Sequence, residues 1–223
     1  MSKIKDSLYG FIIGDALGVP VEFMSRKELI KNPVTSMLGY GTHNVEEGVW
    51  SDDTSMTLAI IDSIINCNGL NYEDIMNNFL MWYGKYKYTA TNKVFDIGRT
   101  TYDALLDYAE NKKNPVECGL KCINDNGNGS LMRMLPIAIF CYYNRYNETE
   151  IYNIVKDVSS LTHAHEISVL GCYLYVIYMM NILNGVDKYE SLDMLKKVNL
   201  NKFSDEAINE YKRILKGKLV EKK

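Results

Sequence analysis

Ser51-Asp52-Asp53-Thr54 sets two consecutive carboxylates between hydroxyls, directly before an apolar run of helical period through Met56, Ala59, Ile60, Ser63 and Ile64. Ser51 therefore suits an N-cap, and Asp52 and Asp53 suit the first helical turn, where acidic groups complement the helix dipole. Side chains one residue apart diverge inside a helix, but at its start both carboxylates can lean past the end toward one point. A hard cation such as Mg2+ or Mn2+ takes oxygen ligands of this kind and keeps positions for water or substrate oxygens. The same four residues would also serve as a plain helix cap, so the rest of the chain must decide between capping and chemistry.

Three other groups of residues could carry chemistry. Asp125-Asn126-Gly127-Asn128-Gly129-Ser130 places glycines around an asparagine. Positive φ angles at those glycines would turn successive backbone N–H groups inward and make an anion-binding nest suited to a phosphate or diphosphate. A tight turn followed by a Ser130 N-cap is the simpler use of the same residues. Thr162-His163-Ala164-His165-Glu166 holds two of the three histidines, with Thr162 placed to cap the long apolar helix that follows. Histidines two apart on a helix face different ways, which excludes a zinc pair of the i, i+4 type but leaves one ring free to face a pocket or to serve the core. Finally, Glu22 follows Pro20, where the first helix must stop and the backbone is free to aim a carboxylate; Asp15 lies near the same end.

The elements that must position these residues are helical throughout. A period near 3.6 predicts helices at about 3–17, 52–66, 72–86, 93–111, 130–143, 148–159, 163–183 and 204–216, with Pro136 forcing a kink in the fifth or marking where its regular part begins. Longer loops at 26–50 and 112–129 lead straight into the Ser51 and Gly127 motifs. Gly10, Gly14 and Gly18 form a smooth stripe on the first helix, which predicts close approach of another helix or a ligand, because each glycine costs about 1 kcal/mol relative to alanine. No linker, repeat or low-complexity segment interrupts the chain, so one domain over 1–223 is expected.

Composition narrows the setting. The 223 residues are 47% hydrophobic and 24% charged, an ordinary globular balance. A formal charge of -3 and a pI near 5.7 argue against a general nucleic-acid binder. The basic residues Lys212, Arg213, Lys216, Lys218, Lys222 and Lys223 suit the solvated end of a C-terminal helix. Ile167–Val186 is uncharged and long enough to span a bilayer, yet it lacks the basic and aromatic flanks of an anchor and is expected as a core helix buried on all sides. No membrane association is expected. Asp6, Asp15 and Glu22 interrupt the N-terminal apolar residues, so no secretion signal is expected. The cysteines at 67, 118, 122, 141 and 172 are odd in number and scattered, which points to a reducing, cytoplasmic home, with Cys118 and Cys122 as two buried thiols on one helix face.

Taken in order, the motifs resemble those of the ADP-ribosylglycohydrolase family, which removes ADP-ribose from proteins or small molecules. The resemblance is carried by Gly10-Phe11-Ile12-Ile13-Gly14-Asp15-Ala16-Leu17-Gly18-Val19-Pro20-Val21-Glu22-Phe23, Trp50-Ser51-Asp52-Asp53-Thr54, Gly127-Asn128-Gly129-Ser130-Leu131-Met132-Arg133 and Leu161-Thr162-His163. It implies an all-α orthogonal helical bundle with a pair of divalent cations, Mg2+ or Mn2+. By that similarity Ser51, Asp52 and Asp53 would ligate metal, Glu22 and Asp53 would be the catalytic carboxylates, Gly127, Asn128, Gly129 and Ser130 would line the diphosphate, and His163 would border the ribose. The reaction implied is hydrolysis of the glycosidic bond between ADP-ribose and a side chain or small molecule.

The family also carries a Gly-Asp-x-Asp-Thr motif near its C-terminus, and no such motif occurs here: Asp187, Asp193 and Asp205 are the only aspartates after the histidine segment. A C-terminally shortened bundle is therefore expected. Three readings follow: a fold cut short, a half completed by another chain or by self-association, or a non-catalytic ADP-ribose-binding or interaction module.

Overall fold

A computed structural model describes residues 3–217; Lys218, Lys222 and Lys223 lie outside the described residues. Helices account for the regular structure among them, joined by one isolated bridge between Leu120 and His163. The chain gathers into two compact units, Met1–Ile97 and Gly98–Lys223.

The first unit holds α1 (Lys3–Gly18), a 3-10 turn at Val19–Val21, α2 (Arg26–Lys31), α3 (Asp52–Cys67) and α4 (Tyr72–Lys85). The short α2 lies inside the segment expected as loop. Ser25 and Glu28 form a reciprocal capping box there, the sequence signal that marks its start. Helices α3 and α4 pack together through Met56, Ala59, Ile60, Ile75, Met76, Phe79 and Trp82, all essentially without solvent contact. Each large side chain among them contributes about 1.5–3 kcal/mol by burial. Asn68, in the left-handed region, ends α3.

The start of α3 is tied twice. The Ser51 hydroxyl accepts from the Asp53 amide at 3.2 Å, as the cap pattern predicts. From α1, the Asp15 carboxylate accepts from the Ser51 amide at 3.1 and 3.2 Å, the Ser51 hydroxyl at 2.8 Å and the Thr54 amide at 3.1 Å. Asp15 is thus an external cap that docks α1 against α3. The glycine stripe of α1 plays no such part: a Cβ at Gly10, Gly14 or Gly18 would meet nothing described within 4 Å, which corrects the expectation of close packing.

The second unit holds α5 (Arg99–Asn111), α6 (Leu135–Asn144), α7 (Glu148–Ser160), α8 (Glu166–Leu183), α9 (Lys188–Met194), α10 (Asp205–Glu210) and α11 (Lys212–Leu215). Helix α5 starts later than its periodicity suggests, because Gly98 takes the N-cap position with extended backbone. Pro136 marks the beginning of α6, preceded by a 3-10 turn at Leu131–Arg133, so its missing N–H falls where no helical bond is needed. Helix α8 starts three residues beyond His163: His165, not Thr162, is its N-cap, its Nδ1 accepting from the Ile167 amide.

Helix α8 packs against α6, α7, α9 and α10, and half of its apolar stretch is buried. Burial concentrates in Ser168–Leu174 with Val176 and Leu183, whereas residues 177–182 are half-buried, so the helix is not enclosed on all sides. Tyr211 separates α10 from α11 and donates its hydroxyl to the Ile167 carbonyl at 2.9 Å. Gly171 leaves room for it, since a Cβ there would stand 2.3 Å from that hydroxyl. Cys118 is buried but Cys122 is exposed, and neither lies in an α-helix, contrary to the paired-thiol expectation.

Replacing Asp15 by alanine removes the acceptor for two backbone amides at the start of α3. Loss of a capping oxygen costs about 1–2 kcal/mol, and a urea titration of Asp15→Ala should show a destabilisation of that size. An unchanged midpoint would mean that Ser51 alone carries the cap.

Candidate active site

In the first unit, acidic groups from separate segments converge on the start of α3. Asp52 is 6% exposed and, among the described residues, accepts no hydrogen bond beyond its own backbone amide. Burial, followed by the charges of Asp53, Asp96 and Asp15, raises its pKa well above the ordinary aspartate range. Burial likewise raises Asp53 to about 7, helped by Asp15, Glu22 and Asp96. Asp96 is raised to about 6, first by burial and then by Glu22, with His43 opposing.

Glu22 stands at the end of the Val19–Val21 turn, and Phe23 in the left-handed region reverses the chain behind it. Its carboxylate meets His43 Nε2 at 2.7 Å, and Asp96 lies 4.0 Å from the same nitrogen. Loop 39–47 is packed onto this turn. The Thr42 amide donates to the Pro20 carbonyl at 3.0 Å and its hydroxyl to the Glu22 carbonyl at 2.7 Å. Gly41 makes the approach possible, because a Cβ there would fall 1.9 Å from the Pro20 carbonyl oxygen.

No Lys or Arg pairs with Asp15, Glu22, Asp52, Asp53 or Asp96 among the described residues. The Thr54 hydroxyl is fully buried and without a hydrogen-bond partner. An uncompensated carboxylate set beside an orphaned hydroxyl matches what a hard divalent cation requires, so these residues fit the metal that the motifs imply. The Ser51 hydroxyl donates to Asp15 and accepts from Asp53, which leaves it one lone pair. His43 and Asp96 were not singled out from sequence. The loop lengths flagged the region of His43; Asp96 sat in a segment assigned to helix.

In the second unit, the Gly127–Ser130 turn lies against His163. Gly127 and Gly129 do not adopt positive φ, so the glycines serve close approach rather than a left-handed nest. A Cβ at Gly129 would fall 2.8 Å from both the His163 ring and the Thr101 hydroxyl. Gly127 and Asn128 are exposed, whereas Ser130 is buried. The Ser130 hydroxyl accepts from Ser159 and contacts the Cys172 sulfur rather than capping a helix with its side chain.

His163 is held by its backbone and its ring. The Leu120 amide donates to the Thr162 carbonyl at 3.0 Å and the Ala164 amide to the Leu120 carbonyl at 2.9 Å, pinning the segment to loop 112–129. Arg133, fully buried, donates to the carbonyls of Gly129 and Val158 and to the Thr162 hydroxyl. The Thr162 proton then has His163 Nδ1 as its acceptor at 2.7 Å, so the neutral ring carries its proton on Nε2. That nitrogen faces the turn, 3.6 Å from a Cβ position at Gly127. Nearby, Asn126 accepts from the Ser168 amide and hydroxyl and donates to His165, and Arg99 holds Asp125 at 2.7 Å, keeping that carboxylate below its usual range.

Burial, with Arg133 nearby, lowers the pKa of His163 to about 3. Between that value and about 6.5 the unfolded chain binds a proton that the folded one refuses, so stability falls as pH drops through this window, by up to about 1.4 kcal/mol per unit. Urea midpoints for His163→Gln should decline less steeply from pH 6.5 to 4 than those of the wild type; parallel curves would show that His163 is charged in the fold.

A family model described as ADP-ribosylglycohydrolase matches residues 1–222. The ADP-ribosylarginine hydrolase Tri1 of Pseudomonas putida (strain GB-1) is 31% identical over 192 residues, 86% of this chain and 50% of that protein. The ADP-ribosyl-[dinitrogen reductase] glycohydrolase of Rhodospirillum rubrum is 29% identical over 180 residues, 79% of this chain and 56% of that protein. A solved structure titled ADP-ribosylglycohydrolase-related protein complex superposes with a TM-score of 0.75 at 25% identity, over 95% of this chain and 65% of that one. The chain spans about half the length of the curated relatives it matches. In sequence and in its all-helical fold, the chain belongs to the ADP-ribosylglycohydrolase family.

Proposed function

We propose that the chain acts in the metal-dependent hydrolysis of the glycosidic bond joining ADP-ribose to a protein side chain, with arginine the first candidate because relatives from Pseudomonas putida and Serratia proteamaculans are ADP-ribosylarginine hydrolases. The observation that carries this reading is the carboxylate set around Asp52 and Asp53, buried without a matching Lys or Arg. Asp52 and Asp53, with the remaining lone pair of Ser51, would hold Mg2+ or Mn2+. A bound cation would draw the raised Asp53 pKa back down and supply positive charge to ribose oxygens and to the charge that develops during bond cleavage.

The chain's own groups do the remaining work. Glu22, oriented by His43, would accept a proton from the attacking water. In the second unit, His163 Nε2–H and the exposed backbone of Gly127 and Asn128 offer hydrogen bonds to oxygens of the ADP-ribose moiety. Five free cysteines, two of them exposed, suit a reducing compartment, and a cytoplasmic location belongs to the same proposal.

A second reading, a binding module without turnover, is favoured by the later aspartates. Asp187 caps α9, Asp193 pairs with Lys196, and Asp205 sits in the first turn of α10, so each already has a local structural role. One experiment separates the two. Residues 1–223 are incubated with an ADP-ribosylated arginine peptide and Mg2+ or Mn2+, and released ADP-ribose is quantified. Hydrolysis predicts release that a chelator abolishes and that Glu22→Gln or Asp53→Asn lowers by about 10²-fold or more. No release, with ADP-ribose binding that Gly129→Ala weakens, would establish the module; neither release nor binding would remove both.

A further inference from the structure

We propose that Glu22, His43 and Asp96 form a nitrogen-containing site for a borderline divalent cation such as Zn2+, separate from the all-oxygen Asp52–Asp53 position. One donor atom from each of the three residues lies within 4.8 Å of the others. Ligand bonds of about 2.0–2.2 Å, the usual range for zinc with His and carboxylate, place donors a little over 3 Å apart, so small side-chain movements would close the set. Three protein ligands with partial exposure also leave a coordination position open to water, the arrangement of reactive rather than purely structural zinc sites.

The donors come from three different segments, and each is held before any ion arrives. The His43 ring lies between Phe23 and Phe95, with centroids 6.2 and 5.2 Å away. Thr42 and Gly41 fix its backbone on the Glu22 turn, as described above. His43 Nε2 pairs with Glu22 at 2.7 Å and stands 4.0 Å from Asp96, whose carboxyl also meets that of Glu22, so the three donors face one another. An imidazole nitrogen shifts preference from Mg2+ toward Zn2+, Co2+ and Ni2+, which distinguishes this site from its all-oxygen neighbour.

Zn2+ bound here would take Glu22 out of its role as proton acceptor, and its binding is measured apart from hydrolysis. Its test uses the full chain, stripped of metal, in a Cys67→Ser, Cys122→Ser background that removes the exposed thiols, with Zn2+ and Mn2+ titrated by calorimetry. His43→Phe keeps an aromatic ring between Phe23 and Phe95 while removing the nitrogen. It should weaken Zn2+ binding about tenfold or more, since even groups that only support a ligand are worth 10–100-fold, and it should leave Mn2+ binding within about threefold. Asp53→Asn should do the reverse, so the two metal assignments fail separately. Equal Zn2+ affinity in wild type and His43→Phe would overturn the site. If His43→Phe does not fold by circular dichroism, X-ray absorption of the Zn2+-loaded wild-type background with His165→Gln decides: imidazole scattering supports the site, and an all-oxygen shell overturns it.

Discussion

Negative charge gathered at one helix start constrains everything else in the first unit. Asp15, Asp52 and Asp53 sit where the α3 dipole and its free amides are positive, which is the cheapest place in a helical protein to keep carboxylates close together. Asp15 exhausts that supply by taking the Ser51 and Thr54 amides. Asp52 is then left buried with no donor but its own amide, and Asp53 and Asp96 are pushed toward neutrality. Without a cation the set relieves itself by holding protons. The core of α3 and α4 must supply the stability that this arrangement costs, as is usual where a site is built against the interest of the fold.

The second unit solves a different problem, that of holding a neutral histidine beside a turn. Arg133 lies fully buried and spends its guanidinium on two carbonyls and the Thr162 hydroxyl. That fixes where the Thr162 proton goes, and with it which nitrogen of His163 keeps a proton. The positive charge of Arg133 also discourages His163 from gaining a second proton. A ring held neutral, with Nε2–H toward the turn, can donate a hydrogen bond to an anionic ligand throughout the physiological pH range.

How far the sequence disclosed this follows the range of each signal. The Ser51 cap, the start of α6 at Pro136 and the helical class were legible because each rests on residues within one turn of each other. Helix α2 was legible in principle from Ser25 and Glu28 but lay inside a segment assigned to loop by its length. The Gly127 and Gly129 roles were misjudged because composition reveals that a Cβ is absent, not whether conformation or a neighbour forbids it; here His163 and Thr101 forbid it at Gly129. Thr162 looked like a helix cap because its true partner, Arg133, stands 29 residues away. The meeting of Glu22, His43 and Asp96 was out of reach, since nothing local links residues so far apart in the chain.

Where each carboxylate spends its lone pairs decides what the chain can do. Asp187, Asp193 and Asp205 are occupied by a cap, an ion pair and a first helical turn, and Asp125 by Arg99. Among the described residues Glu22 and Asp96 meet only His43 and each other, and Asp52 and Asp53 have no such occupation. Their chemistry is therefore available, and it belongs wholly to the first unit. The second unit keeps the cations Arg133 and Arg99 occupied, the first on two carbonyls and a hydroxyl and the second on Asp125, and turns the neutral His163 toward the Gly127–Ser130 turn.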